Sequence, residues 1–458
     1  MDNKNITVNK IVEICNGELL SGDENIEIEA YSKDTRTLNK GDMYLGIKGE
    51  KINGNDYIEQ AFINGAIGCI TDEDISKEII SKYKEKAIIK VEDTIKAIQK
   101  LAKYKRSLYN IPVIAVTGSV GKTSTKDIIA NVLEQKYKVL KTEGNMNNHI
   151  GLPMTLLKLK DHTAVVVEMG MNHFGEISLL TNIAKPTGCV ITNIGTSHIG
   201  NLGSRENILK AKLEILEGLD KNGFVLINND NDLLHEWAKE EKKYKIYTYG
   251  LDKNSTYMAK NITTLENGSN FEINGIKGNV PVGGLHFVYN ATCAFAIGDI
   301  LNVEEEKIIK GISEFKLTAK RMDIEIIKNN VKVINDSYNA SYDSMKAALE
   351  VMKNTEAPRK IAILGDMLEL GEYSKELHEK VGEQVVKNKI DILITIGENA
   401  KNISSKAKKL GMDSIYVYDN IDEAILNIEK IIKSKDLVLL KASNSMNFSK
   451  ILDELKRS

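Results

Sequence analysis

The stretch Val116–Thr125, "VTGSVGKTST", constrains this chain more than any other. An apolar run, "IPVIAVTGS", ends in a glycine loop, and "KTSTKDIIANVLEQKY" follows with helical spacing. Ile128, Ile129, Val132 and Leu133 fall on one side of that helix, the side expected to be buried. A strand that passes through a glycine turn into a helix aims backbone N–H groups, and the positive end of the helix, at whatever sits above the loop. An anion fits there. Gly118, Ser119, Val120, Gly121, Lys122, Thr123 and Ser124 are therefore the expected nucleotide-binding residues. Lys122 would neutralise β- and γ-phosphate charge, and the Thr123 hydroxyl would be offered to Mg2+. The spacing is a variant: Gly118 and Gly121 are only three apart, and Val116 stands where the common loop needs its first glycine.

The rest of the chain extends this pattern. "KVLKTEGN", "TAVVVEMG", "TGCVITNIG" and "GFVLINND" read as further strands alternating with helices, which indicates a largely parallel sheet covered on both faces. Residues 245–282 change texture to short strands with turns, a small antiparallel sheet. After residue 318 the alternation resumes through "NVKVINDSYNAS", "RKIAILGDM", "DILITIGEN", "SIYVYD" and "DLVLLKAS". The expectation is an α/β protein of three units, which 458 residues allow: 1–110, a central P-loop unit at 111–317, and a Rossmann-like α/β unit at 318–458.

Charge narrows the function. The formal net charge is −2, with Lys and Glu mixed along the chain, which argues against an extended nucleic-acid surface. No apolar run approaches a membrane span, and "MDNKNITVNKIVEICNGELL" has no apolar core of a secretory signal. Cys15, Cys69, Cys189 and Cys293 are scattered singly, so reduced and mostly buried thiols of a cytoplasmic protein are expected.

A magnesium nucleotide also needs a hard anionic ligand. "AVVVEMG" ends a strand on Glu168, at the edge of the sheet where ligands bind, and read alone Glu168 is either a metal ligand or a salt-bridged strand end. His198 in "ITNIGTSHIGN" follows another strand, and alone it reads as a structural histidine. Lys210 and Lys212 in "ENILKAKLEIL" alone read as solvated helix lysines.

Together, "TGSVGKTST", "EGNMNNHIGLP", "EMGMNHFGEI", "TNIGTSHIGN" and "ILKAKLEI" resemble, in order, the Mur ligases, ATP-dependent amide-forming enzymes of peptidoglycan synthesis that use the short-spaced loop. "DSYNASYDSMKAAL" and "ILGDMLELGEYSKELH" resemble the branch that adds D-Ala-D-Ala to a UDP-N-acetylmuramoyl tripeptide, and "SKDTRTLNKGDMYLGIKGEKINGNDYIEQAFINGA" resembles its nucleotide-sugar-binding domain. The resemblance implies ATP and Mg2+ as cofactors, an acyl-phosphate intermediate, and a monomer without nucleic-acid or membrane partners. It assigns Lys122, Glu168, His198 and Lys212 to catalysis, and Thr123, Glu168, His198 and a carbamylated Lys212 to the metal. Asn290 would contact adenine, or cap a helix from Ala291 onward. Arg321, Tyr338 and Asn339 would close over the nucleotide from the last domain, which would swing shut on ATP. Asp34, Thr35 and Arg36 would meet the uridine diphosphate, and Asn147 and Asn148 would line the substrate passage.

Some positions depart from the family pattern. Lys320 precedes Arg321 where glycine is expected; Ser341-Tyr342 replaces Asn-Pro; Ala442 and Asn444 replace a glycine and an arginine; Asn53-Gly54-Asn55 replaces Asp-Gly-His. A lost arginine removes a planar, permanently charged fork. Other readings are a sister ligase with another amine substrate, a nucleotide-binding protein without chemistry, and a nucleic-acid motor. Joint retention of Lys122, Glu168, His198 and Lys212 speaks against the second, and charge balance and loop spacing against the third.

Overall fold

The computed structural model describes residues 4–317 and 320–457. The expected start of the last unit, residue 318, lies outside the described residues. Among the described residues the strands form four sheets. Near the N-terminus Ile6–Thr7 pairs antiparallel with Glu27–Ile28. A five-stranded sheet follows in the order Glu18–Ser21, Ala87–Lys90, Gly68–Thr71, Met43–Leu45, Tyr31–Ser32, parallel except for its first pair.

The central sheet has nine strands, and its order explains the site. Val113–Thr117, the strand entering the glycine loop, lies between Ala164–Glu168 and Gly188–Ile191, parallel to both. Val139–Lys141 forms one edge. On the other side come Phe224–Asn228 and Lys245–Gly250, then Tyr257–Leu265, Gly268–Ile273 and Ile276–Val280. The last three pair antiparallel as expected, but Lys245–Gly250, expected in the same small sheet, runs parallel to both its neighbours and joins the three to the main sheet.

The sequence of the central strands is uniformly apolar because both faces are covered. Every residue of Val113–Thr117 and Ala164–Glu168 is buried. Helix Lys122–Glu134 buries Ile128, Ile129, Val132 and Leu133 completely. It packs against the helices Leu285–Ile300 and Glu305–Ser313 as well as the sheet, so Thr125, Lys126 and Asp127 are buried too. Full burial of each aliphatic side chain contributes about 1.5–3 kcal/mol. Helix Thr94–Ser107, in the stretch assigned to the first unit, packs on Gly151–Leu157 and Glu176–Ala184 of the second. Its Arg106 donates to the backbone carbonyls of Ala184 (2.9 Å) and Lys185 (3.1 Å), satisfying the end of helix Glu176–Ala184.

The C-terminal sheet runs Asp323–Ile326, Lys332–Asn335, Leu437–Lys441, Lys360–Gly365, Ile392–Ile396, Ile415–Tyr418, parallel except for its first pair. All four cysteines are buried free thiols, as expected. Among the described residues no helix is long and apolar enough to cross a membrane.

Candidate active site

Three adjacent strands of the central sheet end together, and each end delivers a polar group to one place. In the registers Glu168 opposite Val116 and Ile191 opposite Thr117, the glycine loop, Glu168 and Thr192-Asn193 become neighbours. Gly118 has φ 150° and Gly121 φ 83°, a conformation that costs a side-chain-bearing residue at Gly121 strain. A Cβ on Gly118 would also collide with Thr192 Oγ1 at 1.9 Å.

The short loop keeps its shape through Asn193. Its Oδ1 accepts from the N–H of Ser119 (3.1 Å) and of Val120 (2.9 Å), and its backbone carbonyl accepts from Ser119 as well (3.0 Å). Thr192 Oγ1 donates to the Val120 carbonyl at 2.7 Å. Sequence reading missed Asn193; its one signal is a position immediately past the strand beside the loop strand.

Lys122 folds back over the loop, donating to the carbonyl of Gly118 at 2.8 Å. Burial pushes its amine below the ordinary lysine range, with Glu168 opposing and Arg321 reinforcing the shift. Glu168 is 2% exposed and fully engaged: Oε2 accepts from Thr123 Oγ1 at 2.7 Å and Oε1 from Asn147 Nδ2 at 2.7 Å. It is therefore not a salt-bridged strand end.

Asn290 does not cap a helix. The helix starts at Leu285, and Asn290 sits within it, accepting from Thr125 Oγ1 at 3.0 Å behind the loop. Arg321 stacks on Tyr338, its guanidinium carbon 4.0 Å from the ring centre. Buried Lys441 holds the loop below them, bonded to the Asp336 carboxylate and to the Asn339 carbonyl at 3.1 Å. Lys320 adopts φ 64°, the left-handed region expected of the missing glycine, and its carbonyl accepts from Tyr338 N at 3.2 Å.

These groups surround one cavity of about 690 Å³. Ser119–Ser124, Asn147, Asn148, Glu168, His198, Asn290, Arg321, Tyr338 and Asn339 all line it. Lys212 and Asp34, Thr35 and Arg36 are not among its lining residues. Arg36 instead forms a bidentate pair with Asp34 on the surface, which holds the Asp34 carboxyl down at about 2.

Lys212 is not the solvated lysine its local sequence suggests. It is 2% exposed, whereas Lys210 two residues earlier is exposed. No hydrogen bond or ion pair holds its amine among the described residues. Burial, and then the nearby Lys122 charge, push that amine well below the ordinary range.

His198 stands at φ 64° before the short helix Ile199–Leu202, and its Nδ1 lies 2.6 Å from Glu369 Oε2 of the C-terminal unit. That bond holds the Glu369 carboxyl below its usual range. The segment 195–203 is gripped from the same side throughout. Asp343 Oδ2 accepts from Thr196 N (2.9 Å) and Oγ1 (3.0 Å), Gly200 N donates to the Glu369 carbonyl (3.1 Å), and Tyr373 OH donates to the Gly203 carbonyl (2.6 Å). Gly200 and Gly371 meet face to face: a Cβ on Gly200 would lie 2.5 Å from Gly371 N.

Among the described residues no three His, Cys, Asp or Glu side chains form a ready-made metal cluster. The hard oxygen pair Thr123 and Glu168 beside a phosphate loop is nonetheless the donor set that magnesium takes when nucleotide oxygens complete its shell.

Comparison with known proteins agrees along the whole length. Three family descriptions match: "Mur ligase family, catalytic domain" over 27–106, "Mur ligase middle domain" over 116–298, and "Mur ligase, glutamate ligase domain" over 320–444. The UDP-N-acetylmuramoyl-tripeptide–D-alanyl-D-alanine ligase of Bacillus subtilis is 37% identical, covering 99% of this chain and 98% of that protein. That of Synechocystis is 34% identical over 98% and 96%. A crystal structure of MurF from Acinetobacter baumannii superposes with a TM-score of 0.89 at 29% identity, covering 99% of both chains. MurF ligase from Thermotoga maritima in complex with ADP superposes at 0.80 with 27% identity, covering 94% and 97%.

Proposed function

Because this chain belongs to the Mur ligase family, we propose that its cavity joins D-Ala-D-Ala to a UDP-N-acetylmuramoyl tripeptide at the expense of ATP. The observation that carries this reading is the meeting of Lys122, the Thr123–Glu168 pair and His198 in one cavity roofed by Arg321 and Tyr338. A carboxylate is a poor electrophile. Transfer of the γ-phosphoryl group to it breaks the bond to ADP and forms an acyl phosphate, which carries a good leaving group. The amine nitrogen then forms the C–N bond, the tetrahedral adduct collapses, phosphate leaves with the C–O electron pair, and the amine's surplus protons pass to solvent.

Two anions must first be brought together, so the cations do most of the work. Lys122 neutralises phosphate charge at the loop, whose N–H groups cradle the chain of phosphates. Arg321, stacked on Tyr338, supplies a permanent positive charge from the opposite side and covers the site against water, which would destroy the acyl phosphate. Asn147 and Asn148 line the entry of the tripeptide carboxylate.

Thr123, Glu168 and His198 would hold Mg2+, together with a carbamylated Lys212. When bound, Mg2+ withdraws charge from the phosphates and from the attacked oxygen. The burial of Lys212 supports its part: a neutral amine is the form that adds CO2, and a carbamate turns a cation into an oxygen ligand. Asp34, Thr35 and Arg36 would meet the uridine-diphosphate end away from the cavity.

The test is phosphate release from Mg-ATP with UDP-N-acetylmuramoyl tripeptide and D-Ala-D-Ala, with the product weighed by mass spectrometry. Release that requires both, with a pentapeptide product, is expected. Release with a different amine would move the chain to another branch of the family.

A further inference from the structure

Lys126 is buried on the loop helix, and the proposed reaction leaves it without a part. It stands three residues after Thr123, so the two side chains leave the helix on neighbouring lines. Its amine donates to the carbonyl of Thr142 at 2.6 Å and pairs with the Asp127 carboxylate at 2.8 Å. A buried amine needs partners, and the ion pair alone would account for a structural lysine. The bond to Thr142 reaches further.

Thr142 is where the edge strand Val139–Lys141 gives way to the segment 143–148. That strand pairs over three positions only, and only with Ala164–Glu168, so the segment leaving it has little sheet to lean on. Thr142 itself is held by three bonds. Its N–H donates to the Val166 carbonyl (3.1 Å), its Oγ1 accepts from the Glu168 N–H (3.0 Å), and its carbonyl takes Lys126. The far end of the segment is held as well. Asn147 Nδ2 donates to Glu168 Oε1, the Asn147 carbonyl accepts from Gly170 N at 3.0 Å, and Asn148 Oδ1 accepts from Gly151 N at 2.8 Å. Between these ends Asn145, Asn147 and Asn148 line the cavity. The bonds close a ring. It runs from Thr123 to Glu168, on to Asn147, back along the chain to Thr142, and through Lys126 to the helix where it began.

From this ring we infer that Lys126 is a positioning residue, which sets the segment 143–148 in register with the nucleotide loop. The inference rests on the proposed ligase reaction and adds the residue that ties its two substrate-holding segments together. Phosphoryl transfer needs the acceptor carboxylate in line with the γ-phosphate, so the segment that lines the tripeptide passage must keep a fixed offset from the loop. Thr123 fixes that offset near the reacting groups, and Lys126 fixes it one turn further along the helix. The long lysine stem spans the gap from helix to sheet edge.

A structural lysine and a positioning lysine differ in which Michaelis constant they move. In Lys126→Met the Thr142 carbonyl loses its donor, while Asp127 keeps Lys141 at 3.5 Å. Asp127→Asn does the opposite: it removes the ion pair and leaves Lys126 on Thr142. Kinetics with Mg-ATP, UDP-N-acetylmuramoyl tripeptide and saturating D-Ala-D-Ala are measured for both variants, together with amide hydrogen exchange of the free proteins. In Lys126→Met the KM for the tripeptide should rise about tenfold or more, with the KM for ATP within about twofold of wild type. Exchange across 143–148 should quicken about tenfold while that of 116–125 holds. Asp127→Asn should leave the tripeptide KM within about twofold of wild type. If Lys126→Met does not fold, Thr142→Val opens the ring at its next bond and is read in the same way. A tripeptide KM at the wild-type value, a parallel rise in both constants, or an equal rise in Asp127→Asn would overturn the inference and leave Lys126 as half of a buried ion pair. A wild-type protein that uses another acceptor, or none, refutes the functional reading instead. The exchange measurement needs no substrate and still decides whether Lys126 holds the segment.

Discussion

Removing the Asn193 side chain isolates what makes the shortened loop competent. In Asn193→Ala the Ser119 N–H keeps an acceptor, the residue 193 carbonyl at 3.0 Å. The Val120 N–H does not: Asn193 Oδ1 at 2.9 Å is its only acceptor among the described residues. The Val120 carbonyl loses the weaker donation from Asn193 Nδ2 at 3.3 Å and keeps that from Thr192 at 2.7 Å. The net loss is thus one orphaned N–H in a half-buried loop, which costs about 1–2 kcal/mol. If the loop escapes by leaving its binding shape, nucleotide must restore that shape on binding, and affinity falls by about 5- to 30-fold. Calorimetric titration with Mg-ADP measures this directly. Asn193→Asp is the control: it keeps an acceptor oxygen at the same reach and places a negative charge beside the phosphates. It should hold the wild-type melting temperature while weakening nucleotide further than alanine does. Wild-type affinity in Asn193→Ala, or in Asn193→Asp, would refute the assignment of loop shape to this side chain.

Other expectations follow from the same geometry. Lys212→Met should abolish turnover and raise the melting temperature, because it replaces a buried amine that has no partner among the described residues by an apolar chain of similar length. The Lys212 amine is depressed in the fold relative to the unfolded chain, where it titrates near 10.4, so the unfolded state binds the proton more readily between the two values and stability rises with pH across that window. Urea titrations of wild type and Lys212→Met over that range should show a steeper rise in the wild type, the remaining slope coming from other depressed lysines such as Lys122. Thr123→Val should lower kcat by about 10²-fold, and it should also cost about 1–3 kcal/mol of stability because buried Glu168 loses the donor to its Oε2; phosphate release with saturating ATP and a urea midpoint check the two effects. Lys320→Gly should stabilise the protein by about 1 kcal/mol by relieving a left-handed backbone, read as a shift of the urea midpoint; a lower midpoint would refute the strain.

What the sequence made legible is whatever local period or local chemistry writes down. The central strands were readable as apolar runs because sheets covered on both faces leave no polar alternation. The loop and Lys122 were readable because an anion site at a helix N-terminus is contiguous in sequence. Asn193, Asp343 and Glu369 were not, since each acts on a segment far away in the chain: Asn193 on Val120, Asp343 on Thr196, Glu369 on His198. Lys212 lay between these cases. It stands four residues after fully buried Ile208 and next to Ala211, so the helical period places it on the inner face. Lysine's usual preference for water hid that. The antiparallel strands after residue 257 were legible as strands, but their junction with the main sheet, Tyr249 beside Tyr257 and Gly250 beside Met258, was not.

The two glycines that meet between segment 195–203 and the C-terminal unit make the enzyme editable by a single carbon atom. Gly200 has an ordinary helical backbone, so alanine there carries no strain of its own, yet its methyl would press on Gly371 N and on the Glu369 carbonyl at 2.7 Å. Such a methyl is a molecular doorstop. It would push the last unit away from segment 195–203 by the width of one methyl group, and so offers crystallographers and kineticists a way to ask how closely the two must meet for turnover.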